Sequence, residues 1–282
     1  MKKVYLALFT FCSSIAAHAG DENFQVGARS SAMGNASVSL CDLWSAHHNQ
    51  AGLGFVREIS AGVHYENRFM IKELGVRGGA IALPIKAGTF GLCITNFGYS
   101  GYSENKYSVS FAKAFGNKFS AAIAMDYLTT KIGEGYGDKG VLAGEVGIIA
   151  KPLKNLTIGA HVFNPTRAKI AEYDDERLPT IIRLGADYSF SDKVTVALET
   201  QKDISQKAEF KAGLEYKAVK EFYLRIGIST NPTLSCFGFG INLKNFKIDL
   251  AANYHQVLGI SPQVNLSYSF AKAKNNSAAS TN

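Results

Sequence analysis

Long apolar runs are absent from this sequence. Nothing in it approaches the roughly 20 consecutive apolar residues of a membrane helix, which excludes a helical membrane protein. The nearest candidate, Val4 to Ala16, follows Lys2 and Lys3 and precedes Ala17-His18-Ala19. A basic start, a short apolar run and a small-x-small site describe a secretory signal peptide over residues 1–19. Proline is scarce, with six residues in 282, and tryptophan occurs once. Cysteine is scarce too. Cys12 lies inside the leader, without the flanking residues of a lipoprotein site. The remaining Cys41, Cys93 and Cys236 are an odd, sparse set, which excludes a disulfide framework. One pair could close in an oxidising compartment, and the spacing leaves open which. Basic clusters are also missing. The net charge of +7 is spread along the chain, so nucleic acid is not an expected partner.

What is present is glycine (27), phenylalanine (18) and tyrosine (13), in an alternating order. In "LTIGAHVF", Leu156, Ile158, Ala160 and Val162 share one face, and Thr157, Gly159 and His161 the other. "IIRLGADYSF" and "EFKAGLEYK" alternate in the same way. Period two is the mark of a strand with two unlike faces. Fourteen such segments fall between residues 58 and 270, among them 73–83, 105–115 and 139–151. Most have the 9–11 residues of a tilted membrane strand.

The connections alternate too. Short ones such as "PIK", "GNK", "PLKN", "SDK", "AVK" and "KN" usually carry a lysine. Between them lie longer polar ones at 98–105, 133–139 and 164–179, the last containing Asp174, Asp175, Glu176 and Arg177 in a row. Short turns at one end and longer loops at the other predict an all-β fold: a transmembrane antiparallel barrel of about fourteen strands over 58–270. Tyr188/Phe190 and Tyr268/Phe270 fall where interfacial aromatics sit. The expected location is the outer membrane, with both termini periplasmic. Lipid and the outer-membrane assembly machinery are then partners. The tail 271–282 is small and polar and is expected to be disordered.

With the apolar stripe facing lipid, the other stripe lines the lumen. It includes Asp126, Glu145, Lys151, Arg183, Asp187, Glu199, Lys211, Glu215, Arg225, Lys247 and Asp249. A barrel this wide is not filled by its own side chains. The segment 20–57, rich in Gly, Ala, Ser and Asn, is the candidate plug, with the lumen charges as a network that holds it. Its sequence "GARSSAMGNASVSLCDLWSAHHNQAGLGF" resembles the N-terminal hatch of the PorV/PorQ family of FadL-like outer-membrane barrels. The matching residues are Ala28, Arg29, Met33, Gly34, Ala36, Asn49, Ala51 and Leu53. Gln50 stands where that family usually has proline. "LPTIIRLGADYSF" (178–190) is similar to a family strand. The resemblance implies a non-enzymatic component or partner of a type IX secretion and surface-attachment system, with secretion-system or surface proteins as partners. The alternative is a FadL-like channel for hydrophobic small molecules. The charged 164–179 loop favours the first of these.

Other chemistry is weaker. Cys41, Asp42, His47 and His48 include metal-ligating types, but adjacent histidines seldom aim at one ion and no second spaced pair supports them. Neither metal nor cofactor is expected. His64, His161, Ser108 and Ser110 fall on lumen faces without forming a nucleophilic set in the sequence, so an enzyme is not expected. "GEGYGDKG" (133–140) lacks the helix that a phosphate loop needs.

Overall fold

The computed structural model describes residues 24–133, 137–169 and 177–270. The expected signal peptide, the acidic run Asp174 to Glu176 and the polar tail lie outside the described residues. Fourteen antiparallel strands close into one barrel in which every strand pairs with its sequence neighbours, and the first pairs with the last. They are β1 (Ile59–Asn67), β2 (Gly75–Ile85), β3 (Gly88–Tyr99), β4 (Tyr102–Phe115), β5 (Phe119–Ile132) and β6 (Gly137–Leu153). After these come β7 (Leu156–Phe163), β8 (Ile181–Ser189), β9 (Val194–Asp203) and β10 (Glu209–Lys217). The wall is completed by β11 (Phe222–Ser229), β12 (Leu234–Leu243), β13 (Phe246–His255) and β14 (Gly259–Phe270). Closure leaves no unpaired sheet edge.

The two faces have the reverse of a soluble protein's polarity. On β5, Ile123 and Met125 are 64% and 61% exposed, while Asp126 beside them is fully buried. Val63, Leu142, Leu198 and Ile226 are likewise exposed, and Glu145, Arg183 and Arg225 are buried. An apolar outer face over a charged inner one is what a barrel in lipid requires.

The loop end departs from the sequence reading. Residues 98–105 are not a long loop: β3 runs on to Tyr99, which pairs with Tyr102 of β4. Gly98, at φ +102°, opens the way into that tight turn. Similarly, β5 and β6 extend to the pair Ile132–Gly137. Polar residues continue these strands because a wall that has left the hydrocarbon no longer needs an apolar stripe. Residues 72–74 form a 3-10 turn, so β2 starts at Gly75 rather than at 73. The connection after β7 also does more than lie in solvent. Asn164 donates to the Leu178 carbonyl at 3.0 Å and accepts from Ala168 N at 3.0 Å. Leu178 then packs with Phe163, Ile181 and Ala143.

The N-terminal segment lies inside the barrel. It forms α1 (Ala28–Ala32), α2 (Ser45–His48) and a 3-10 helix over Gln50–Phe55. From Val26 to Gly54 only Arg29, Cys41 and Asp42 are less than fully buried. Glycines make this close fit possible. A Cβ on Gly213 would stand 2.5 Å from the Met33 Cβ, and one on Gly227 would stand 2.8 Å from the Gly34 Cα. Apolar packing covers one side, where Val26, Leu43, Trp44 and Leu53 meet small inward residues such as Ala80, Ala82, Ala112 and Ala122.

Candidate functional site

Three polar anchors tie the N-terminal segment to the inner wall, and together they form the candidate site. The first is built on Arg29, in α1. Its guanidinium donates to both carboxylate oxygens of Glu215 on β10, at 2.8 and 2.9 Å, and to Asp42 at 3.0 Å. A planar fork matches a carboxylate in this way, and ionised partners make the bonds strong. Glu215 also accepts from Arg225 of β11 at 2.6 Å, and Arg225 donates to Asp249 of β13 at 2.7 Å. Lys247 stands 3.5 Å from Asp249. Gly240, opposite Asp249 in register, leaves the room that the Arg225 guanidinium occupies.

The second anchor centres on Glu199 of β9. One of its oxygens accepts from the backbone N–H of Ser37 at 2.7 Å and of Val38 at 2.8 Å. The other accepts from Arg183 of β8 at 2.8 Å and Lys211 of β10 at 3.3 Å. Arg183 directs its remaining donors at the segment, reaching the His48 carbonyl at 2.9 Å and the Ser37 hydroxyl at 2.8 Å.

The third anchor is Gln50. Its side-chain amide donates to Glu145 of β6 at 2.7 Å. Glu145 also binds Lys106 of β4 and, at 2.7 Å, the Nε2 of His161 on β7. Lys106 lies 3.3 Å from Asp126 and 4.9 Å from the Phe163 ring centroid. Asn49 beside it accepts from Ala51 N, capping the 3-10 helix, and donates to the Val38 carbonyl at 2.7 Å. It reaches the Ile148 carbonyl of the wall at 3.2 Å.

Burial sets the charge states within the segment. Burial, with Arg183 nearby, pushes His48 down to about 3. Burial likewise holds His47 well below its ordinary value. Asp42 is opposed by burial, but the Arg29 guanidinium outweighs this and holds it below the usual carboxylate range. Burial pushes the Cys41 thiol up to about 12. Cys41, Cys93 and Cys236 are all free thiols.

Cys41, Asp42, His47 and His48 do not converge. Asp42 is turned to Arg29 and to the Trp44 N–H, His48 to the Ser30 hydroxyl, and Cys41 to the Ser39 carbonyl. No hydrogen bond joins Ser108 or Ser110 to a histidine among the described residues. Among the other inward residues, Lys151 sits 3.8 Å over the Phe55 ring. Asp187 faces Thr157 and Ala197 in register. Ala28, Met33, Ala51 and Leu53 are buried packing residues. At the turn end a cleft of about 340 Å³ opens between Asp42, Trp44, Arg57, Ser60, Lys247 and Ser269.

Lys106 is an anchor residue that the sequence does not single out. It shares the inward parity of Ser108 and Ser110 in the segment 105–115, and only its place at the start of that segment sets it apart from them. The inward glycines give a usable signal, since their places on the lumen stripe mark where the segment presses on the wall.

No family model matches the chain, and no curated protein does. Solved structures do match it in fold. The Ralstonia pickettii toluene transporter TbuX superposes with a TM-score of 0.63 at 14% identity, over 86% of this chain and 97% of that one. The Pseudomonas putida toluene transporter TodX gives 0.64 at 14%, over 86% and 97%. A Pseudomonas aeruginosa FadL homologue gives 0.62 at 12%, over 88% and 98%. The likeness is one of fold: this chain and these transporters share a closed barrel architecture, built here from fourteen antiparallel strands.

Proposed function

We propose that the protein works in the outer membrane as a gated, non-enzymatic channel for small hydrophobic molecules, with residues 24–57 as its hatch. One observation carries the reading: a segment buried inside a closed barrel is tied to the wall by ion pairs and hydrogen bonds, with apolar packing on one side. Such contacts can be exchanged for water, at about 1 kcal/mol for an ordinary hydrogen bond and about 3 kcal/mol where a buried ion pair is broken. A segment held in this way can shift without unfolding the wall. The FadL-type fold and the hydrocarbon transporters that share it support the class of cargo.

The test is accumulation of labelled toluene in cells that make the chain, against cells that do not. Faster uptake supports the channel. Unchanged uptake, with folded protein recovered from the outer membrane, overturns it.

A second reading rests on the residues that resemble the PorV/PorQ hatch. Arg29 and Asn49, two of those residues, make the segment's own anchoring contacts. In that reading the barrel is a type IX secretion component with secretion-system or surface proteins as partners. Deleting the gene and profiling surface-exposed secreted proteins separates the two. An altered profile with normal hydrocarbon uptake favours the secretion component over the channel.

A further inference from the structure

We infer that the turn end of the barrel binds a layer of anionic phospholipid headgroups through a ring of lysines set just beyond an aromatic girdle. The inference rests on the barrel being membrane-spanning, and goes beyond what passes through it.

Six short turns join strands at this end, and each carries one exposed lysine: Lys86, Lys118, Lys154, Lys193, Lys220 and Lys244. The strand order is consecutive all the way round. The turns therefore recur at every second strand junction, and the lysines run round the rim. Exposed Arg57, just before β1, stands at the remaining position, where the described chain enters and leaves the wall.

These charges are unlike those of the lumen. Arg29, Lys106, Arg183, Lys211 and Arg225 each lie against a carboxylate. Among the described residues none of the six rim lysines has an ion-pair partner, although Asp192 and Glu221 adjoin two of them in sequence. They are free to meet an external anion.

The girdle says where that anion lies. Outward aromatic pairs sit beside the same turns: Phe115 with Phe119 at 5.9 Å, Tyr188 with Phe190 at 4.8 Å, and Phe246 with Tyr268 at 4.7 Å. Aromatic belts of this kind mark the level where hydrocarbon gives way to headgroups. A lysine one to three residues further on extends its ammonium into the phosphate layer. Because each lysine belongs to a different turn, a compact soluble anion would touch only one of them. An annulus of headgroups touches all.

The test reconstitutes the full chain in vesicles of equal phosphatidylcholine and phosphatidylglycerol. The protein is then extracted in mild detergent and its retained lipid measured by mass spectrometry. Phosphatidylglycerol should be enriched about threefold or more, because each surface lysine adds to the attraction. High salt should bring the ratio towards parity. A variant combining Lys86→Gln, Lys118→Gln, Lys154→Gln, Lys193→Gln, Lys220→Gln and Lys244→Gln should lose the enrichment, and the matching arginine variant should keep it. A glutamine variant that retains the native ratio overturns the inference, as does a native chain that inserts and holds both lipids equally. Heat-modifiable migration on gels monitors insertion. A native chain that never inserts removes the membrane reading, and this inference with it.

Discussion

The guanidinium of Arg29 grips both oxygens of Glu215, 186 positions away in the chain, and through Glu215 it is joined to Arg225 and Asp249. The N-terminal segment is thereby continuous with an ionic chain that crosses β10, β11 and β13. Removing Arg29 leaves Asp42 and Glu215 short of a cation. Breaking a buried pair in this way costs about 3 kcal/mol, and the loss should fall on the segment rather than on the strand ladder. Arg29→Ala should therefore raise ion conductance in planar bilayers while heat-modifiable migration persists. Unchanged conductance would count against a holding role for Arg29.

Gln50 makes a contact that proline could not. Gln50→Pro removes the donor to Glu145 and should weaken the attachment by about 1–3 kcal/mol. Limited proteolysis should then cut within residues 24–57 at a lower denaturant concentration than in the native chain. In a double-mutant cycle, Gln50→Leu and Glu145→Gln should be non-additive, because they share one bond. Additive effects would show that the two side chains do not act together.

Gly213→Ala forces a methyl group against Met33. The segment should be displaced, with raised conductance and easier proteolysis. Gly144→Ala is the control: the nearest heavy atom to its added Cβ would be the Ala124 carbonyl oxygen at 3.8 Å. It should behave like the native chain. Equal behaviour of the two variants would mean that the close approach at Gly213 is not needed.

Acid should loosen the segment. His48, held at about 3 by burial, stays neutral in the attached state, whereas a released histidine titrates near its ordinary 6.5. The released state therefore binds more protons between these values. The contribution of His48 to attachment is fully present above about pH 6.5 and is lost as pH falls towards 3. His47, also lowered, acts in the same direction. Asp42, held below 3.8, adds to the loss only at lower pH. Conductance should rise between about pH 7 and pH 4.5. The combined His47→Gln and His48→Gln variant should flatten that rise, and an unaltered pH profile would exclude the histidines as its source.

The wall of this protein is encoded locally. Lipid outside and water or plug inside impose opposite demands on alternate residues, and each strand meets those demands on its own. The pattern can be read along "LTIGAHVF" or "EFKAGLEYK" without knowing any neighbour. The strand count, the inward set from Asp126 to Asp249 and the short lysine turns are legible for that reason. Strand ends are not. Where β3 and β4 rise towards Tyr99 and Tyr102 the hydrocarbon constraint lapses, the residues turn polar, and a strand reads as a loop. The choice of partners belongs to the folded barrel. Glu215 could have faced any cation on the inner stripe. That it meets Arg29 and Arg225, that Gln50 finds Glu145 across 95 positions, and that Lys106 joins them depends on register and closure. Those are long-range relations, set by how fourteen strands meet around one segment, and no local pattern encodes them.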